Sequence, residues 1–197
     1  MKPFSTFTLL KQPLELVWLA MRDSLPAIAA AMDDIEGVEL LERAFEEDGR
    51  LRLVNRWLAR RQVPAMLQSA LGTKTISWLD TAVWDDAARV CEWRIEPALL
   101  AGKIECTGRT RYELAMAGRG TRVTFEGSFE LQPGFLTGVG ATFEPALIGF
   151  LETVVATMIP HNLSRAVAAA GRRIEGEQHS SSDQVRVVKA EPRVGER

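Results

Sequence analysis

Residues 104–131 constrain the fold more than any other part of the chain. Two runs, 104–116 and 121–131, flank Gly118-Arg119-Gly120, and both alternate with the period of two that an extended strand requires. Ile104, Cys106, Gly108, Thr110, Tyr112 and Leu114 point one way, matched by Val123, Phe125, Gly127, Phe129 and Leu131. Glu105, Arg109, Arg111, Glu113, Arg122, Glu126 and Glu130 lie on the opposite face. An antiparallel pair of this kind has one dry face and one wet face, and the dry face has to be covered by another element. On the wet face, opposite charges pair across strands as solvated ladders, not as a binding patch.

The same signals recur upstream. Residues 4–10 read as a first strand ending at Gln12-Pro13. Pro13 suits the first turn of a helix whose apolar face is Leu14, Val17, Trp18, Met21 and Leu25, and a second short helix is expected over Ala27 to Met32, after Pro26. Runs 38–45 and 50–58 flank Asp48-Gly49, a hairpin signal because glycine tolerates positive φ. In the second run Leu51, Leu53, Asn55 and Trp57 share one face, and Arg50, Arg52 and Arg56 the other. Residues 64–71 start with a proline and stop at Gly72, so one or two helical turns interrupt the sheet there. Two more strands are expected over 73–84 and 88–95 around Asp85-Asp86.

The cover comes last. After Pro133 to Gly140, a helix is expected from about Phe143 to Ile174, and Leu147, Ile148, Phe150, Leu151, Val154, Val155 and Met158 spread around most of its circumference. Such a helix belongs inside the protein. Pro160 should kink it, and Arg172-Arg173 suit its C-terminal end. The expected architecture is α+β: a helix-grip domain over 1–174, with a seven-stranded curved antiparallel sheet around a long C-terminal helix. Residues 175–197 read as a disordered C-terminal tail.

With 46% hydrophobic and 25% charged residues and a formal charge of −2, the chain is ordinary for a globular protein and gives no electrostatic case for nucleic acid. Cys91 and Cys106 fall in neighbouring strands and suggest a reducing, cytoplasmic compartment. The N-terminus has no sustained apolar core of a signal peptide, and the nearest membrane-span candidate, 145–159, contains Glu152 and stops at Pro160. A soluble protein is expected.

The element order resembles the START-like superfamily of hydrophobic-ligand-binding proteins, also called SRPBCC, over roughly residues 1–174. Within it the chain looks most like the PRELI/MSF1 lipid-transfer branch. The likeness is carried by the opening Phe4-Ser-Thr-Phe7, Gln12-Pro13, Val38-Glu-Leu-Leu-Glu-Arg43, Gly49-Arg-Leu-Arg52, and Val63-Pro-Ala-Met-Leu-Gln-Ser-Ala-Leu-Gly72 followed by Thr-Lys-Thr. Uncharacterised bacterial members and the polyketide cyclase-like branch are similar at the level of element order. The resemblance implies an internal cavity for an apolar or lipid-like molecule.

The residues that would line such a cavity are Asn55, Trp57, Trp78, Trp93, Thr110, Tyr112 and Phe125 on the strands, with Phe150 and Val154 on the helix. Each tryptophan either fills a core or walls a pocket. What favours a pocket is the presence of Asn55, Thr110 and Tyr112 on the dry face, because a buried polar group without a partner costs about 1–3 kcal/mol. No metal-ligand spacing, nucleophile motif or P-loop occurs, and no cofactor is expected; His161 and His179 are too far apart in sequence to suggest a site. Cys91 and Cys106 read as small core residues. Arg56, Arg60 and Arg61 beside the insert form either a flap for transient contact with an anionic membrane or a solvated cluster. Three functions remain open. The first is binding, with or without transfer, of a hydrophobic molecule, gated by the last helix and the loops at 60–72 and 133–142. The second is a cyclase or hydratase using Tyr112 or His161, and the third a ligand-free interaction module. Oligomeric state is not legible.

Overall fold

The computed structural model describes residues 2–65, 68, 73–98, 101–131 and 159–189. Strand β1 (Lys2–Leu10) leads through helices α1 (Leu14–Asp23) and α2 (Leu25–Ala29) to β2 (Ile35–Phe45), β3 (Leu51–Gln62), β4 (Thr75–Asp85), β5 (Val90–Pro97), β6 (Ile104–Ala115) and β7 (Gly120–Leu131). A helix over Ile159–Lys189, α3, follows. The strands form one sheet in the order β1-β7-β6-β5-β4-β3-β2, antiparallel throughout. Strands β2 to β7 therefore form a continuous meander, and β1 returns to pair with β7.

The turns follow the local chemistry. Gly49 has φ +84° and donates its N–H to the Glu46 carbonyl, closing the β2–β3 hairpin. In the β4–β5 turn the Asp85 carboxylate accepts the N–H groups of Ala87 and Ala88 at 2.9 and 2.8 Å. Alternation decides the faces. In β3, Leu51, Leu53, Asn55 and Trp57 are buried, whereas the ion pairs Arg56–Glu39, Arg109–Glu126 and Arg111–Glu126 form on the other side of the sheet. Leu114 departs from the expected dry face. It stands at the tip of the β6–β7 hairpin and is 68% exposed.

The dry face is closed at one end by α1, α2 and α3. Ala166, Val167, Ala169, Ala170 and Ile174 of α3 are buried, and the helix packs against α1, α2, β1 and β7. Small side chains let its backbone come close. Polar ties fix its seat: Arg165 pairs with Asp33 and Asp34 at 3.2 and 2.9 Å, and the Gln12 amide donates to Glu175 at 2.7 Å. Two expectations change. Helix α2 begins at Leu25, because Pro26 fits within the first turn and need not precede the helix. The last helix, expected to end near 174, continues to Lys189, so 175–189 is helical where the sequence pattern suggested a tail. The expected insert over 64–71 is described only at Pro64, Ala65 and Gln68, the last two helical, and the stretch from Phe143 to Met158 lies outside the described residues.

One row of the sheet explains two glycines. Phe4, Gly127, Gly108 and Trp93 are aligned across β1, β7, β6 and β5, and the rings of Phe4 and Trp93 stack at 6.1 Å. A Cβ at Gly108 would run into the Trp93 ring and the Glu126 carbonyl, and one at Gly127 into Phe4 and Trp93. The glycines are therefore the floor on which the two aromatic rings lie. Gly108→Ala is expected to destabilise the fold by about 1–3 kcal/mol, read as a lower urea midpoint at unchanged slope. An unchanged midpoint would show that the ring row does not fix this part of the sheet.

Candidate functional site: a cavity beneath the C-terminal helix

A cavity of about 150 Å³ lies between the dry face and α3. Its wall is built from consecutive inward positions of neighbouring strands: Trp57 on β3; Ile76, Trp78, Asp80, Ala82 and Trp84 on β4; Cys91, Trp93 and Ile95 on β5; Ile104, Cys106, Thr110 and Tyr112 on β6; Phe125 and Phe129 on β7. Met21 and Leu25 close one side, and Asn162, Leu163 and Ala166 of α3 lie over it. The surface is overwhelmingly apolar, as in sites for small organic molecules.

Aromatic contacts hold the wall in place. Trp57 and Trp78 are partners across β3–β4 and stack with centroids 5.7 Å apart and planes 9° from parallel. Trp18 of α1 meets the rings of Trp84 and Tyr112 edge-on, each at 5.0 Å. Trp18 is itself fixed: its Nε1–H donates to Asp86 at 2.6 Å, and the Arg89 guanidinium sits 5.3 Å above its ring.

Of the residues expected to line a pocket, Trp57, Trp78, Trp93, Thr110, Tyr112 and Phe125 do line this cavity. Asn55 is buried on the same face but is not part of the cavity wall; Phe150 and Val154 lie outside the described residues. The expectation that Thr110 would look to a ligand for a partner is corrected, because its Oγ1 accepts the Trp93 Nε1–H at 3.0 Å. His161 is exposed, whereas its neighbour Asn162 reaches the cavity. Cys91 and Cys106 are both free; burial holds the Cys91 thiol well above its ordinary pKa and pushes Cys106 up to about 12, so neither is a ready nucleophile. Burial likewise keeps the Tyr112 phenol protonated. Among the described residues no cluster suited to a metal ion occurs.

The residue that the sequence pattern did not single out is Asp80. It alone among the described lining residues carries a formal charge. It sits between Trp78 and Ala82, in phase with the inward tryptophans of β4, and that phase was the available signal. Asp80 is half-buried and lines the cavity, and burial raises the pKa of its carboxyl to about 6. The Trp57 indole N–H and its partner across β3–β4, Asn55, pull that value back down. The Trp57 N–H acts from outside bonding geometry, since it has no hydrogen-bond partner. The Trp84 Nε1–H and the Asn162 Oδ1 are buried and unpartnered as well. Three of the lining residues thus each bury a polar atom without a partner, two indole donors and one amide acceptor.

A folded pKa of about 6, against an ordinary 3.8, means that the folded chain keeps a proton which the unfolded chain releases between those values. Stability therefore falls as pH rises through this window, and above it the ionised Asp80 costs on the order of 3 kcal/mol. Asp80→Asn is expected to melt about 5–10 °C above the wild type at pH 7.5, an advantage that fades towards pH 4. A gain independent of pH, or no gain, would show that Asp80 is not held in a low-dielectric site.

No protein-family model matches the chain, and no curated protein matches it. Solved structures do. The chain is similar to a Zhui aromatase/cyclase from Streptomyces sp. R1128, with a TM-score of 0.61 and 20% identity, over 88% of this chain and 95% of that one. It is similar to the protein TTHA0849 from Thermus thermophilus, with a TM-score of 0.59 and 19% identity, over 89% of this chain and 98% of that one. Ara h 8.0201 matches with a TM-score of 0.56 and 12% identity, over 88% and 97%. At such identities the likeness is one of fold, and the expected PRELI/MSF1 affinity finds no support in it. The chain has the helix-grip fold, a seven-stranded curved antiparallel sheet with a C-terminal helix.

Proposed function

We propose that this protein binds a small hydrophobic molecule in the cavity beneath α3. The observation that carries this reading is an apolar, aromatic-walled space with unpartnered indole N–H groups, since a chain that only needed a core would fill the space and pair the donors. The size favours a ring over a whole phospholipid: a cavity near this volume takes one benzene-sized group. Among proteins of similar fold, the Zhui protein is described as an aromatase/cyclase, which suits a ring-shaped ligand. Transfer between membranes would need a gate, and the loops expected to supply it fall mostly outside the described residues. Among the described residues no helix is long and apolar enough to cross a membrane. The arginines expected to dock a flap are engaged in part, Arg56 with Glu39 and Arg60 with the Ile35 carbonyl.

A second reading, a cyclase-like enzyme, is favoured by two titratable groups on the cavity wall, Asp80 and Tyr112. Tyr112, holding its proton, would serve there as a donor and not as a base. His161 is exposed and is not among the residues lining the cavity. If this reading holds, Tyr112→Phe abolishes turnover of an aromatic or polyketide substrate and leaves its binding intact.

Native mass spectrometry of freshly expressed protein, followed by organic extraction, tests the binding reading. A stoichiometric apolar compound is expected. Ala166→Leu, which pushes side-chain volume from α3 into the cavity, is expected to weaken its retention roughly 5- to 100-fold, the equivalent of overfilling a packed site by about 1–3 kcal/mol. An empty wild-type protein that also shows no thermal shift with a panel of aromatic compounds would overturn it.

A further inference from the structure

The described wall of the cavity holds one charge and no counterion. Elsewhere in the fold carboxylates are met by arginines, as Glu15 is by Arg89 at 2.7 Å and Glu126 by Arg111 at 2.6 Å. Asp80 is not. Among the described residues no cation pairs with it, and the segments 66–72, 99–100 and 132–158 contain no lysine, arginine or histidine. A carboxylate removed from water is normally paired, because the desolvated charge is costly alone. Trp57, Trp78, Trp84 and Trp93 share the wall with it, and indole is the aromatic ring that attracts a cation most strongly. Resting on the binding reading above, we infer that the ligand is an arylalkylamine, with its ring against the tryptophans and its protonated amine against the Asp80 carboxylate, so that the ligand supplies the counterion the wall lacks.

The surroundings set Asp80 to act as an anion at neutral pH. Trp57 and the cross-strand partner Asn55, both of β3, favour the ionised carboxyl, and above a pH of about 6 the charge is present. A carboxylate has about four lone-pair sites, so these two neighbours leave acceptor capacity for an ammonium group. A neutral ring would leave the charge uncompensated against an apolar wall, and an anionic ring would add a second negative charge beside it. A metal ion needs several ligating groups, and among the described residues no such cluster occurs. The other titratable groups that share the cavity are Cys91 of β5 and Cys106 and Tyr112 of β6, all held in their neutral forms by burial. Strand β7 adds only Phe125 and Phe129, and α1, α2 and α3 only Met21, Leu25, Asn162, Leu163 and Ala166. Asp80 is therefore the one described lining group whose charge changes between pH 5 and 7.5.

The test compares benzylamine, benzyl alcohol and benzoate, three probes of similar shape, by isothermal titration calorimetry on the full-length chain at pH 7.5. Benzylamine is expected to bind about 10- to 100-fold more tightly than benzyl alcohol, the gain of a charge-assisted contact, with benzoate weakest. Asp80→Asn, which by the stability argument above folds at least as well as the wild type, is expected to erase that preference and to keep the binding of benzyl alcohol. Benzylamine stays protonated at pH 5, where most of the Asp80 carboxyl is neutral, so its advantage over the alcohol is expected to shrink about tenfold there. Equal or tighter binding of the alcohol at pH 7.5, or a preference for the amine that survives Asp80→Asn, would overturn the arylalkylamine inference and leave the cavity reading standing. No binding of any of the three would overturn both.

Discussion

The structure depends on one constraint: a seven-stranded sheet with a single dry face must be covered, and the cover touches only part of it. Helix α3 reaches the sheet through small side chains, Ala166, Ala169 and Ala170, and packs on β1, β7 and the two short helices. Over β3, β4 and β5 the wall is made instead of Trp57, Trp78, Trp84 and Trp93, which pack laterally against one another and their neighbours and leave a space between sheet and helix. Lateral aromatic packing is what keeps that space from collapsing, because each ring is held by a partner in the wall.

The energetic oddity of the cavity is Asp80. A carboxyl in this setting would be neutral if it were fully isolated, and a core position would be served better by a leucine. Its placement among tryptophans, where burial raises its pKa to about 6, destabilises the folded protein above that pH. Binding sites commonly give up stability in this way, and here the cost falls on one inward position of one strand.

Much of the fold was legible in the chain. The strict alternation over 104–131, the Asp48-Gly49 hairpin and the proline-led first helix each determine an element by local physics, and those elements stand where the pattern put them. The inward phase of the strands also identified six of the cavity residues directly. What stayed hidden depends on distance in space. Thr110 looked unpartnered because nothing in the sequence says that the Trp93 ring reaches it from the next strand. Asp80 is not singled out by the pattern, because its burial follows from the register that sets it opposite Asn55. The helix beyond 174 carries little apolar period, so its continuation to Lys189 was not written in the pattern used to find helices.

The measurement that bears most directly on the central claim is a high-resolution crystal structure of the protein purified without added ligand, examined for density between Trp57, Asp80 and Asn162. The expected result is a continuous, flat density of ring size lying against the tryptophans of the wall. A space closed by side chains, with every indole N–H paired inside the protein, would contradict it.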